Sequence, residues 1–483
     1  MNRGWGLAIG LLIVLGVAGL FVMDRSPFIR RGEEGESTQE KVRIQVALNE
    51  WANNLEVQNA VRRYNETNPE GAEIVLMDIP SESYNDTLNM LLTSGKGPDV
   101  FVADRIWLAS YVNKNYLENL QPFLSQNELR RYPEWSLDYA QSPLFKGGIY
   151  FLPSGVETLR LIYRKDLFRT AGLDPERPPA TLAEIKPAAD RITATGGGVR
   201  KYGFALPAGD LQHSFQFDLE MSGTYSGIFY YDYRSGKYDL SVYMPWLETM
   251  RAVKRAGSLY PGESLLKREH ALKQFAEGNI GMMYATSQDY AKLREYNRQG
   301  DFGVAMPPAV DEQRIGSGAL MMQPLSPLVV NSGAGAKETA VKVWKFLQSA
   351  DFQTVLFQQA LAIPMVDGIL ERMDQQTLHA GFQAFFPTDR ESLYPLWPQI
   401  MDQYDPNAVA PGPRNPGDRP RMELYLRLIG DEEPLPMKEA LARETERLNE
   451  LLEIAASGRF FNAEEYVHPG FDPRRPLSGG AGK

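Results

Sequence analysis

Apolar positions along this chain change their period from one stretch to the next. Over residues 42–48 they alternate with polar ones, the period of a half-buried strand, and over 56–65 the spacing lengthens to that of a helix. The alternation repeats: residues 74–79 read as a strand and 81–93 as a helix. Behind the turn at Gly97 and Pro98, the apolar run 99–103 has the length of a buried parallel strand, and Ile106, Leu108, Ala109 and Val112 then follow at helical spacing. Strands alternating with helices predict a largely parallel sheet covered on both faces.

The pattern continues in the same grammar. Residues 150–152 and 159–163 read as strands, 165–171 and 181–193 as helices with Thr181 as a cap, and 202–206 as a strand. Helices are predicted over 246–257, 270–277, 337–349 and 352–360, and strands over 280–284 and 328–331. Residues 225–243 are dense in tyrosine, and the interleaved Asp232, Arg234, Ser235, Gly236 and Lys237 favour a hairpin with tyrosines packed on its faces over an open aromatic box. From residue 367 the tail is helical, interrupted by the Pro/Gly stretch 406–420 and resumed by an amphipathic helix over 436–455.

One segment falls outside this grammar. Residues 5–23 form an uncharged apolar run, long enough to span a bilayer at the short end of the range. Two readings stand, a cleaved secretory signal and an uncleaved anchor; small residues at Gly16 and Ala18 permit cleavage, and the length favours the anchor. Arg25, Arg30 and Arg31 outnumber Arg3, which by the positive-inside rule favours a cytoplasmic main domain, although long domains translocate largely regardless of such charges. An acidic, flexible linker completes residues 1–40.

Composition narrows the classes. At 483 residues the chain is too long for one ordinary core. A formal charge of −10 argues against nucleic acid or an anionic membrane surface as partner of the folded part. Zero cysteines exclude disulfides, thiolate metal sites and cysteine nucleophiles, as well as a lipidated amino-terminal cysteine. Four scattered histidines make a histidine-rich metal site a poor expectation. Gly196–Gly198 lack the Lys-Ser/Thr of a phosphate loop, no His-Glu-x-x-His occurs, and no carboxylate pair sits in a recognisable glycosidase context. Binding is favoured over catalysis, with no catalytic residue, metal or cofactor expected.

The chemistry of interest lies where strands end. In open α/β sheets ligands bind outside the carboxyl ends of the strands. Asp104 and Arg105 follow the third strand, an adjacent acceptor and fork-shaped donor that suit a hydroxyl-rich ligand, or simply a surface pair capping a helix. Asn49, Glu50 and Trp51 follow the first strand, where Trp51 is either a platform for a sugar face or a side chain packed beside the helix.

Several stretches resemble one family in its order: 97–120, then Leu152-Pro153-Ser154-Gly155-Val156-Glu157-Thr158-Leu159, Ile162-Tyr163-Arg164-Lys165-Asp166-Leu167-Phe168, and residues 271–283. Over roughly residues 42–456 the chain is similar to the family 1 extracellular solute-binding proteins of ABC importers, the maltose-binding-protein-like group. The resemblance implies a periplasmic-binding-protein-like fold, two α/β lobes joined by a hinge, here preceded by the amino-terminal hydrophobic helix. It implies a first lobe over 41–155 completed by about 302–364, a second over 156–301 completed by about 365–456, and a flexible tail over 457–483. Residues 302–306 and the strand 328–331 are expected to return the chain to the first lobe. It carries Glu157 over as a cleft-facing carboxylate and Asp210 as a second one. Gln288 lies in the loop where the family places a stacking tryptophan, so that role is open. The implied function is capture of a carbohydrate, an oligosaccharide class ligand, by a monomer that delivers it to ABC permease subunits, outside the cell, anchored or secreted. The alternative is a membrane-tethered sensor or interaction module without transport.

Overall fold

The computed structural model describes residues 41–69, 71–80, 83–153, 155–209, 215–296, 301–325, 327–366, 369, 380–398, 418–457 and 462–477. The apolar run 5–23 lies outside them, and so does Asp210. Among the described residues no helix is long and apolar enough to cross a membrane.

The first sheet grows from β1 (Val42–Ala47), which pairs in parallel with β2 (Ala72–Leu76) on one side and β3 (Val100–Val102) on the other. Its helices form for local reasons. The Asn54 side chain accepts from the N–H groups of Glu56 and Val57, capping the helix Leu55–Thr67, which turns Val57, Ala60 and Val61 inward. The Tyr84 hydroxyl, on the helix Tyr84–Thr93, lies 3.1 Å from the Ala47 carbonyl and 2.9 Å from that of Val102. One side chain thus ties the carboxyl ends of β1 and β3 together, where the chain leaves the sheet toward the cleft.

Three stretches then cross between lobes, and they are hydrogen-bonded to one another. The outward crossing is β4 (Gly155–Glu157), which runs on into β5 (Leu159–Arg164) of the second sheet. Alternate residues of β5 feed two cores: Leu159, Leu161 and Tyr163 on one face, Ile162 on the other. The buried Arg160 on the second face is held by the carbonyls of Leu159, Ala384 and Phe386. The second sheet is completed by β6 (Tyr202–Phe204), which is parallel to a later strand, β9 (Ile280–Thr286). Gly203 in β6 is required by packing, since a Cβ there would stand 2.2 Å from the Ala189 backbone of the helix Leu182–Ala194. That helix starts at a capping box between Thr181 and Glu184. Between β6 and β9, β7 (Tyr231–Asp232) and β8 (Lys237–Tyr238) form the expected hairpin, its tyrosines buried.

Two expectations need correction. Residues 302–306 do not return the chain to the first lobe. Their core, β10 (Phe302–Ala305), lies antiparallel to β5 and closes the second sheet in the order β10-β5-β9-β6. Period identifies a strand but not its partner, and an edge strand of either sheet would look alike. After β11 (Leu320–Met321), the return passes through β12 (Gln323–Pro324), antiparallel to β4, and reaches the first sheet as β13 (Leu328–Val330), antiparallel to β3. A third crossing, β14 (Ile363–Pro364), pairs with the other edge of β4, and β15 (Glu391–Ser392) then joins β11.

The second correction concerns the tail. Within 457–483, residues 462–477 are held against the tyrosine hairpin: Tyr231 donates to the Tyr466 carbonyl, Arg234 to that of Phe471, and the Phe471 ring stacks on Tyr233 at 4.5 Å. The Ala319 N–H donates to the Pro473 carbonyl at 2.7 Å. A Pro/Gly-rich composition marked a frayed end, yet aromatic and backbone partners pin this stretch.

Candidate functional site

The site assembles over β4. From the first lobe, β3 ends at Val102, and Asp104 and Arg105 follow at the start of a tight 3-10 turn (Arg105–Trp107) that leads into the helix Leu108–Asn113. Asp104 is half-buried and accepts from the Asn85 side-chain amide at 3.4 Å. Arg105 points across the cleft. Its guanidinium carbon lies 5.2 Å from the centre of the Phe217 ring and 5.4 Å from that of Trp397, both on the second lobe.

Glu157 ends the outward crossing, and its surroundings come from the second lobe. The Thr286 hydroxyl hydrogen-bonds its carboxylate, Arg268 and Arg105 attract it, and Asp289 repels it. Burial outweighs these attractions, and the carboxyl is pushed up to about 7. Beside it, Asp218 is fully buried on the helix Gln216–Thr224. Burial is again the leading cause that pushes Asp218 up to about 7, partly offset by Arg268 and reinforced by Asp289 and Glu157.

Arg268 organises this cluster. It opens the helix Arg268–Ala276, donates to one oxygen of Asp218 and to Asp289 Oδ2 at 3.1 Å, and reaches the Tyr284 carbonyl at 3.2 Å. Asp289 in turn accepts from the Thr286 N–H at 2.8 Å. The second oxygen of Asp218 is buried without a hydrogen-bond partner. Three carboxylates therefore face Arg268, with Arg105 as the second cation within electrostatic reach of Glu157. Among the described residues no group of histidine, cysteine, aspartate and glutamate could hold a metal ion.

The structure brings together Asp104, Arg105 and Glu157. It places the other sequence candidates differently. Trp51 is 4 % exposed and belongs to the core of the first lobe, so its ring presents no open face. Glu50 is exposed on the same short turn. Asn49 takes a left-handed conformation, φ 51°, and its Oδ1 is buried without a hydrogen-bond partner. Gln288 is half-buried and donates to the Leu361 carbonyl at 3.4 Å, just ahead of β14, which puts it on the hinge. Asp210 lies outside the described residues.

Sequence reasoning missed Phe217, Asp218, Arg268 and Trp397. One signal was available: Asp218 and Glu220 interrupt the apolar run Phe215, Phe217, Leu219 and Met221, and buried carboxylates demand partners. Their partners, Arg268 and Arg421, lie 50 and 201 residues away, beyond what local spacing can show.

Two sheets joined by three paired crossings, with polar groups of both halves converging over the middle crossing, define a two-lobed cleft protein. Residues 51–354 match the model of the bacterial extracellular solute-binding proteins, and the chain belongs to that family. A binding protein of Brucella abortus (strain 2308) is 25 % identical over 331 residues, which are 67 % of this chain and 77 % of that protein. The sn-glycerol-3-phosphate-binding periplasmic protein UgpB of Escherichia coli (strain K12) is 24 % identical over 273 residues, 52 % of this chain and 58 % of that one. In fold, the chain is similar to the GacH receptor of Streptomyces glaucescens, solved unliganded and with acarbose, at a TM-score of 0.66 and 18 % identity, covering 85 % of this chain and 98 % of that one.

Proposed function

We propose that this protein captures a carbohydrate, of oligosaccharide class, by closing its lobes on it, and that it delivers the solute to an ABC permease without altering it. The observation that carries this reading is the convergence of Asp104 and Arg105 from one lobe with Glu157, Arg268 and the Phe217 and Trp397 rings over a single hinge. Sugar hydroxyls need aimed donors and acceptors, and sugar C–H faces favour aromatic surface. Closure around a paired crossing turns those contacts into a population shift, since the solute binds the closed form better than the open one. The acarbose complex of the GacH receptor supports the ligand class. The description of the family as extracellular supports binding outside the cell, and the apolar run 5–23 is then read from the sequence as signal or anchor.

Calorimetry against maltotriose, raffinose, other glycans and sn-glycerol-3-phosphate tests it. One sugar is expected to bind in the micromolar range, about −8 kcal/mol. Heat from sn-glycerol-3-phosphate alone, or from no glycan, overturns the carbohydrate reading.

A further inference from the structure

The contact between Arg105 and the two rings joins lobes that the hinge leaves free to part. Trp397 is held firmly in the second lobe: its indole N–H donates to the Tyr230 hydroxyl at 2.8 Å, and its ring meets Phe229 edge-on at 4.9 Å. Phe217 is fixed by the helix Gln216–Thr224, one position before the buried Asp218. Both rings thus belong to one rigid body, while the guanidinium enters from the other, on the short turn after β3. The slot between the two rings is filled by the chain's own cation.

We propose that Phe217 and Trp397 form a cation slot whose built-in occupant is the Arg105 guanidinium, and that this contact latches the lobes together before solute arrives. A planar guanidinium, weakly hydrated, suits the flat faces of two rings better than an ammonium would. Glu157 lies within electrostatic reach of Arg105. A solute that takes the aromatic faces must first displace Arg105, which then becomes a donor to it beside Asp104. The latch therefore lowers apparent affinity by the fraction of molecules it holds shut, and selects for solutes that recover both contacts. This second role rests on the carbohydrate reading; the latch itself does not.

The chain has no cysteine, so two can be introduced cleanly. Spin labels at Glu66→Cys and Glu248→Cys, exposed positions on the helices Leu55–Thr67 and Met244–Arg255, report lobe separation in the solute-free protein by pulsed electron resonance. The parent protein is expected to give a dominant short distance. Arg105→Gln is expected to shift the ratio toward a longer one by about tenfold, between the exposed and the desolvated size of a cation–ring contact, and Phe217→Leu by less because Trp397 remains. The double variant is expected to go no further than Arg105→Gln alone, because that variant already removes the contact with both rings. Arg105→Lys should fall between. Circular dichroism and melting of each variant confirm folding, and the place of Arg105 on a short turn, half-buried and outside either core, keeps that variant decisive if Phe217→Leu unfolds. A distance distribution unchanged in Arg105→Gln overturns the latch, as does strict additivity of the two variants. A protein that binds no glycan yet opens on Arg105→Gln keeps the latch and loses the carbohydrate reading.

Discussion

Arg160 and Glu391 face each other at 2.5 Å with side-chain exposures of 3 and 0 %. The other Glu391 oxygen accepts from the Thr388 N–H and hydroxyl, while Arg160 also donates to the carbonyls of Ala384 and Phe386. The pair fastens the segment after the third crossing to β5, next to the hinge. Arg160→Met strands a buried carboxylate, and denaturant unfolding should show a loss of about 3–5 kcal/mol. Adding Glu391→Met should recover part of it, the orphaned carbonyls accounting for the rest. A loss under about 1 kcal/mol would mean that water reaches the pair.

Glu157 and Asp218 make stability depend on pH in an unusual direction. Both carboxyls are pushed up to about 7 in the folded chain, above the ordinary carboxylate range of the unfolded one. Between about pH 4 and 7 the folded state binds more protons, so their contribution is full below the unfolded values and fades as pH rises through about 7. Each excess proton is worth up to about 1.4 kcal/mol per pH unit. Melting temperature should therefore fall from pH 5.5 to pH 8, and Glu157→Gln with Asp218→Asn should flatten that slope. A melting temperature that climbs over the same interval contradicts the burial of both groups.

On the proposed reading, Asp104 is the acceptor that the first lobe offers to the solute. Its replacement by alanine should weaken glycan binding by roughly 2 kcal/mol, about thirtyfold, because Asn85 and a sugar hydroxyl lose a partner. Titration calorimetry on a correctly folded variant decides this, and unchanged affinity removes Asp104 from the site.

The carboxyl-terminal stretch 462–477 should matter to the tyrosine hairpin. Deleting residues 458–483 takes away the Phe471 ring on Tyr233 and four hydrogen bonds, those with Tyr231, Tyr233, Arg234 and Ala319. A stability loss of about 2 kcal/mol is expected from these groups together. Hydrogen exchange at the amides of 231–238 should accelerate. Unchanged protection would show that the stretch only rests on the surface.

Much of the fold was legible because it is local. The periods at 42–48, 56–65 and 280–284 identified elements that exist, and Thr181 caps the helix it was expected to cap. What local pattern does not contain is pairing. Phe302–Ala305 has the same alternation whichever sheet takes it, and the hydrogen bonds to β5 decide. The site divides in the same way. Asp104 and Arg105 were legible from their place after a strand, and Glu157 through the resemblance. Trp51 was ambiguous because a tryptophan after a strand serves a core as well as a ligand, and here the core takes it. Phe217, Arg268 and Trp397 acquire meaning only from neighbours brought together by the fold.

The three crossings also govern how the chain must be built. β13 enters the first sheet beside β3 only after β5, β6, β9 and β10 have all been threaded through the other half. During synthesis on the ribosome, β3 therefore waits with one bare edge until residues near 330 have emerged, and unsatisfied strand edges invite mispairing. Neither half is a contiguous gene segment, so neither can be excised, swapped or expressed as an independent module.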